Sequence, residues 1–410
     1  MMRRGANLPS IGEFNQSVVL DAIRRSPEGI SRVEIAAQTG LSSQTATNVA
    51  RRLLASGLIR EGERLASGPG KPRTSIHLVP GARTAIGIHL DPSFITYTVV
   101  DLAGDVIARA SDATPRVVSP DDVIHSMARS VDSLVEEARI DRAHLLGIGI
   151  AAPGPLDLDA GTVNNPPLLS GWDDVALRDE LGHVLGLPVI LEKDVTSATV
   201  GELWSNREAD RDDFAVFYLG TGVGLGLALD RSVRRGATSN LGDIGHLRVA
   251  DRGTVCRCGN SGCLGDNVSP SRIVRVAAER GVIALPDLSD HAAVAQAYAA
   301  VGEAALFDER ARTLVEEISD DIAIAVVAIA NLLDLSDIVF SGAFWNHIAD
   351  VALPGIRRRI DGSRAYALPH PLRVSSSTLG ADATAVGAGC QVLSSTFAPS
   401  DAHLVPRALA

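Results

Sequence analysis

Three of the four cysteines in this 410-residue chain fall close together behind a histidine, in the spacing His246-x9-Cys256-x-Cys258-x4-Cys263. Three thiolates and one imidazole make a closed tetrahedral shell suited to structural zinc, with no open position for catalysis. Reduced thiols in a cytoplasmic protein favour a metal over a disulfide, and the fourth cysteine, Cys390, lies far away in a Gly-rich helical segment. Three unrelated buried cysteines are the alternative reading.

The rest of the chain divides by charge. Net charge is −11, yet residues 1–80 carry 11 Lys and Arg against 6 Asp and Glu, and residues 81–410 carry 27 against 43. A small basic module joined to a large acidic one permits nucleic-acid binding by the first, although a basic stretch is also an ordinary solvated face. Hydrophobic residues make up 46% and aromatics 4%, so the interior is built from Ala, Val, Leu and Ile, as in helices packed on buried parallel strands. The sequence has no apolar run long enough for a membrane span, and Arg3 and Arg4 are followed by no apolar stretch of a signal peptide. The expected compartment is the cytoplasm, with no membrane contact.

Residues 15–25 read as an amphipathic helix, with Val18, Val19, Ala22 and Ile23 on one face. Ser31 and Glu34 form a capping box for a second helix, Gly40 supplies a left-handed turn, and Ser42 caps a third helix to about residue 56. Ala46 and Val49 face inward, which leaves Ser43, Gln44, Thr45, Thr47, Asn48 and Arg51 outward near the helix start. Short polar side chains and amides there reach base edges, while Arg51 and Arg52 meet phosphates. Two β-rich segments, 58–60 and 74–78, flank a Gly/Pro loop with Lys71 and Arg73 at its tip. That arrangement is a wing, which enters a groove or clamps a phosphate. The expectation is an α+β winged helix-turn-helix domain over 1–80; a purely structural helical hairpin is the alternative.

From Thr84 strands and helices alternate, with strands expected at 85–90, 97–101, 146–151, 189–192, 215–219, 226–229 and 338–341 and a long helix at 314–333. Two candidate phosphate-loop positions, near residues 89 and 221, point to two half-domains facing across a cleft. Four motifs follow in order: Ala151-Ala152-Pro153-Gly154-Pro155, Gly220-Thr221-Gly222-Val223-Gly224-Leu225-Gly226, Gly242-Asp243-Ile244-Gly245-His246 and the stretch from Cys256 to Leu264. In this order they resemble the ROK family of repressors, reading frames and sugar kinases, over about residues 84–395, and the N-terminal module matches its regulator branch. The resemblance implies an α/β, actin-like (ribonuclease H-like) two-lobed domain over 81–395, with 396–410 as a tail lacking periodicity.

The resemblance also defines what departs from a kinase. Where the family's kinases have an aspartate and a Gly-Gly-Thr turn, this chain has His89, then Asp91 and Pro92, which add negative charge and remove an amide donor. The glycines of residues 220–226 remain, but glycines also serve tight turns and close packing. Asp194 falls at the place of the catalytic base, as a relic or as a helix cap. Lys193 replaces a sugar-binding asparagine, and it either pairs with a modified or phosphorylated sugar or points to solvent. Asp243 stands for a glutamate, Gly265 for another, and Leu168 for an asparagine. His246, a zinc ligand, also matches a residue that touches a sugar hydroxyl in the family. The ligand-binding set is therefore Lys193, Asp194, Asp243 and His246.

The combined expectation is a sequence-specific transcriptional regulator of repressor type for carbohydrate-related genes. It binds double-stranded operator DNA as a homodimer or dimer of dimers, is controlled by a sugar-like effector in the cleft, and has no kinase activity. Competing readings are an active ATP-dependent sugar kinase with an added DNA-binding domain, a regulator controlled by a protein partner, and a zinc-dependent scaffold.

Overall fold

Helix caps organise the N-terminal module. In the computed structural model, which describes residues 8–65, 73–115, 119–206, 211–251 and 255–397, three helices form: α1 (Leu8–Arg24), α2 (Arg32–Thr39) and α3 (Ser43–Ala55). The Ser31 hydroxyl accepts from the Glu34 amide and Glu34 accepts from the Ser31 amide, so the capping box forms. Gly40 ends α2 at φ +69°, where a Cβ is disfavoured, and Ser42 starts α3 by accepting from the Thr45 amide. α1 starts earlier than the 15–25 reading, because Pro9 falls in the first turn, where a missing N–H costs nothing. The sheet has three strands, β1 (Ile30–Ser31), β2 (Ile59–Leu65) and β3 (Arg73–Leu78), in the order β1-β3-β2. The two-residue β1 escaped the sequence reading because it is too short to show a period.

Two five-stranded sheets follow, and they share one topology. The first holds β4 (Thr84–Leu90), β5 (Phe94–Asp101), β6 (Val106–Ala113), β7 (Leu145–Ala152) and β10 (Val189–Lys193), with a separate pair β8 (Leu156–Asp157) and β9 (Thr162–Val163). The second holds β11 (Phe214–Leu219), β12 (Val223–Leu229), β13 (Ser232–Arg234), β14 (Asp337–Ser341) and β15 (Arg373–Ser376). In each sheet three strands make an antiparallel meander, and two more add in parallel on the other side of the first. This repeat is the two-lobed, actin-like architecture. The leading strands β4 and β11 are buried along their whole length; β11 reads as an unbroken apolar run, and β4 as one that also buries Thr84 and His89. β6, β13 and β15 were not foreseen, because largely exposed or very short edge strands carry no such signal.

Helices α4 (Pro120–Glu137) and α5 (Leu177–Leu185) belong to the first lobe, and α7 (Leu264–Asn267), α8 (Pro270–Glu279), α9 (His291–Ala304), α10 (Glu309–Leu333) and α11 (Ala343–Asp361) to the second. The last strand of each sheet leads to a central helix: α6 (Asp194–Ser205) after β10, and α12 (Ala383–Phe397) after β15. α12 extends two residues past the boundary expected at 395. α6 and α12 cross backbone to backbone, since a Cβ on Gly387 would lie 1.7 Å from the Ser197 carbonyl oxygen. α12 also packs on β4, β5 and β7, and α6 on β11 and β12, so each central helix leans on the other lobe's sheet. One apolar cluster joins Ile23 and Leu53 of the winged module to Trp204, Cys390 and Leu393 of the helix pair.

Candidate functional site

The outward face of α3 is set by what its other face buries. Ala46, Val49, Ala50 and Leu53 recur at helical spacing and are buried. Ser43, Gln44, Asn48 and Arg51 are therefore exposed together, and Arg51 donates to the Asn48 side-chain oxygen at 3.3 Å. Thr45 and Thr47 are half-buried; their hydroxyls bond Ser42 and the Ser43 carbonyl, which serves the helix itself. Arg52 is exposed but leans toward α1, its guanidinium 3.9 Å from where a Cβ of Gly12 would be. Arg73 is exposed at the start of β3, and Lys71 lies outside the described residues. Arg32, at the start of α2 and paired with Glu61 at 2.6 Å, is a further cation on this module that the motif reading passed over.

His246, Cys256, Cys258 and Cys263 converge, with their ligand atoms all within 4.8 Å of one another. The Cys256 sulfur lies 3.5 Å from His246 Nδ1, and the Cys258 and Cys263 sulfurs are 3.6 Å apart. A tetrahedral zinc with Zn–S near 2.3 Å requires S–S edges of about 3.8 Å, so the donor set fits a metal ion of that size. A backbone amide bond from Asn260 pulls the Cys258 thiol down to about 7. Short ties close the loop around the cluster, including Val249 N to Gly262 O and Leu264 N to Leu247 O.

In the cleft, Asp91 and Lys193 reach the opposite lobe. The β4–β5 and β11–β12 turns occupy equivalent places in the two sheets and meet: Thr221 Oγ1 donates to Asp91 Oδ1 at 2.6 Å, beside the Ser93 amide at 2.8 Å. His89 is buried, with Tyr218 Oη 3.5 Å from its Nε2. Lys193 does not point to solvent; its ammonium donates to the carbonyls of Asn240 and Leu241 at 2.9 and 3.1 Å. Asn240 in turn pairs with both the amide and the carbonyl of Leu156, and Arg235 pairs with the buried Glu192 at 2.7 Å. Sequence spacing gave no sign of Asn240 or Arg235, since their partners are 84 and 43 residues away. Asp194 is the first residue of α6 and accepts from the Val195 amide, while the capping position belongs to Lys193, which makes no side-chain cap. Asp243 is exposed and accepts from the Gly245 amide. In the second glycine loop only residues 220–222 form a turn. Gly224 and Gly226 lie in β12, where a Cβ would strike Val195 and Thr199 of α6, so they serve close packing.

Burial holds the His89 imidazole below its ordinary pKa, against the pull of Asp91 and Asp194, and pushes the Asp194 carboxyl up. The unfolded chain therefore binds more protons than the folded one at His89, so that contribution to stability is lost as pH falls through about 6.5. Asp194 has the opposite sign, in a window beginning near pH 4. As pH falls from 7.5 to 5.5, the melting temperature of His89→Gln should fall less, relative to its value at pH 7.5, than that of the native protein. An identical drop in the variant would count against this assignment.

Residues 85–394 match the model of the ROK family, and residues 13–65 match that of the MarR family. The chain is 26% identical over 398 residues to a "Putative xylose repressor" of Caldicellulosiruptor sp. (strain Rt8B.4), covering 95% of this chain and 98% of the relative. It is 28% identical over 317 residues to a glucokinase of Halalkalibacterium halodurans, covering 75% and 94%. Among solved structures, a ROK family transcriptional regulator described as a homologue of the E. coli MLC protein superposes with a TM-score of 0.73, at 22% identity and 95% and 98% coverage. Fold, motif order and family match agree: the chain belongs to the ROK family, in its branch with an N-terminal winged helix.

Proposed function

We propose that this protein is a DNA-binding transcriptional regulator of repressor type, in which a sugar-like small molecule in the interlobe cleft controls a winged helix. The observation that carries the reading is the exposed Gln44, Asn48 and Arg51 face of a capped, well-packed α3, ahead of a full ROK domain. The full-length likeness to a protein named as a xylose repressor supports it. The division falls at about residue 80, with the ROK domain to about 395. The working form is a homodimer or dimer of dimers in the cytoplasm, since one such module contacts too few base pairs alone. No described helix is long and apolar enough to cross a membrane. DNA contacts come from Ser43, Gln44, Thr45, Thr47, Asn48, Arg51, Arg52, Lys71 and Arg73. His246, Cys256, Cys258 and Cys263 hold a structural zinc that fixes the loop beside the cleft. Asp194, Asp243 and His246 face the effector, and Lys193 contributes through the loop it holds. Selection of genomic fragments by the full-length protein tests the reading; recovery of no specific sequence would overturn it.

The domain does not act as a kinase. Asp91 takes the Thr221 hydroxyl and the Ser93 amide that an incoming phosphate would need, and Pro92 offers no amide. With Mg·ATP and glucose, xylose or N-acetylglucosamine, ADP release should not exceed the protein-free rate. Turnover on the order of 1 s⁻¹, ordinary for kinases, would restore the enzyme reading.

A further inference from the structure

The apolar contact between the winged module and the ROK domain contains one buried charge. Arg24, in the last turn of α1, is 6% exposed. Its Nη1 donates to the Trp204 carbonyl oxygen at 2.6 Å, its Nη2 to Asp21 at 2.7 Å, and its guanidinium lies 4.3 Å from the centre of the Trp204 ring. Trp204 is itself wedged, because a Cβ on Gly104 would come within 2.2 Å of its ring. The Trp204 carbonyl is one of the last of α6, so a cation there completes the negative end of that helix. Arg24 Nε and Trp204 Nε1 have no hydrogen-bond partner among the described residues. A joint built only for stability is better made of hydrophobic side chains. A directional contact within the apolar one fixes an angle as well.

The other end of α6 lies in the cleft. Lys193 and Asp194 begin it, about 18 Å away for twelve helical residues. Between the ends, α6 meets α12 without intervening side chains at Gly201 and Gly387, so the two helices are in direct backbone contact. Lys193 ties one end of this lever to the second lobe, the Asp91–Thr221 bond ties the two lobes at the neighbouring turns, and Arg24 holds the other end.

We propose that the Arg24–Trp204 contact is the joint through which the state of the cleft sets the orientation of the winged module, with α6 as the lever. Its meaning for gene control rests on the regulator reading above; the mechanical coupling does not, and is testable without DNA. Hydrogen exchange is measured on full-length native protein, on Asp91→Ala/Lys193→Ala, on Arg24→Met and on the combination. Releasing the cleft ties should speed exchange in residues 15–24 and 200–205 at least about tenfold in the Arg24 background. In the Arg24→Met background the same release should leave residues 15–24 unchanged. Faster exchange confined to the two lobes, or an equal change in both backgrounds, overturns the joint. Should Arg24→Met unfold α1–α3, Arg24→Lys replaces it in the cycle. That variant keeps the charge but not the planar stacking, and it should weaken the coupling at least about threefold; undiminished coupling overturns the proposal. If the native protein selects no DNA, the regulator reading fails, while the exchange cycle still decides the joint.

Discussion

Gln44→Ala/Asn48→Ala/Arg51→Ala will lose specific DNA binding, with affinity for the selected fragment falling at least about 100-fold at near-physiological salt. Each good bidentate contact to a base is worth about 1–3 kcal/mol of discrimination, and a phosphate contact adds a salt-dependent share. Two amide side chains and one guanidinium therefore account for a loss of this size. None of the three side chains is in the core: the buried face of α3 is Ala46, Val49, Ala50 and Leu53, and the caps are Ser42 and the backbone of Ser56. Circular dichroism and melting temperature should stay within the range of ordinary surface substitutions. The slope of log affinity against log salt should also fall by about one unit, through Arg51. Undiminished binding would remove α3 as the recognition helix.

The second large effect concerns the metal. Full-length protein purified at neutral pH should carry about one zinc per chain by elemental analysis, and Cys256→Ala/Cys263→Ala should carry none. Cys256 and Cys263 are buried, and Leu264 and Val249 beside them belong to the core of the second lobe. Between those core residues, the described part of the loop is held by its own backbone bonds, and α7 behind it by the Asn267–Asp321 hydrogen bond to α10 at 2.9 Å. Without the metal, limited proteolysis should cut between residues 247 and 262, where native protein resists. Native protein that carries no zinc as purified yet resists cleavage there, or a variant that resists cleavage as the native protein does, would end the structural-zinc assignment.

Much of this site was legible along the chain because its information is local. The Ser31–Glu34 capping box, Gly40, the Ser42 cap and the inward spacing of Ala46 and Val49 each act within one helical turn, so residue order alone fixes them. The four candidate metal donors lie within eighteen residues of chain, and the fold brings their ligand atoms within 4.8 Å of one another. The apolar run of β11 likewise announced a buried strand. Thr45, Thr47 and Arg52 were placed on the recognition face by position alone, and their hydrogen bonds and lean toward α1 depend on neighbours that position does not reveal.

The cleft was different. The resemblance singled out His89, Asp91, Pro92 and Lys193 along the sequence, but not what they contact. Tertiary structure decided that: the pseudo-repeated sheets bring the β4–β5 and β11–β12 turns face to face, so that Asp91 meets Thr221 across 130 residues of chain. Lys193, read as facing a ligand or solvent, binds two carbonyls of the other lobe, and Arg24, an ordinary helical arginine by pattern, is buried against Trp204 180 residues away. The physical reason is common to all three. A cap, a turn or a metal loop is specified by groups a few bonds apart, whereas a cross-lobe hydrogen bond or a buried cation is specified by the burial and geometry of a partner that only the completed fold delivers.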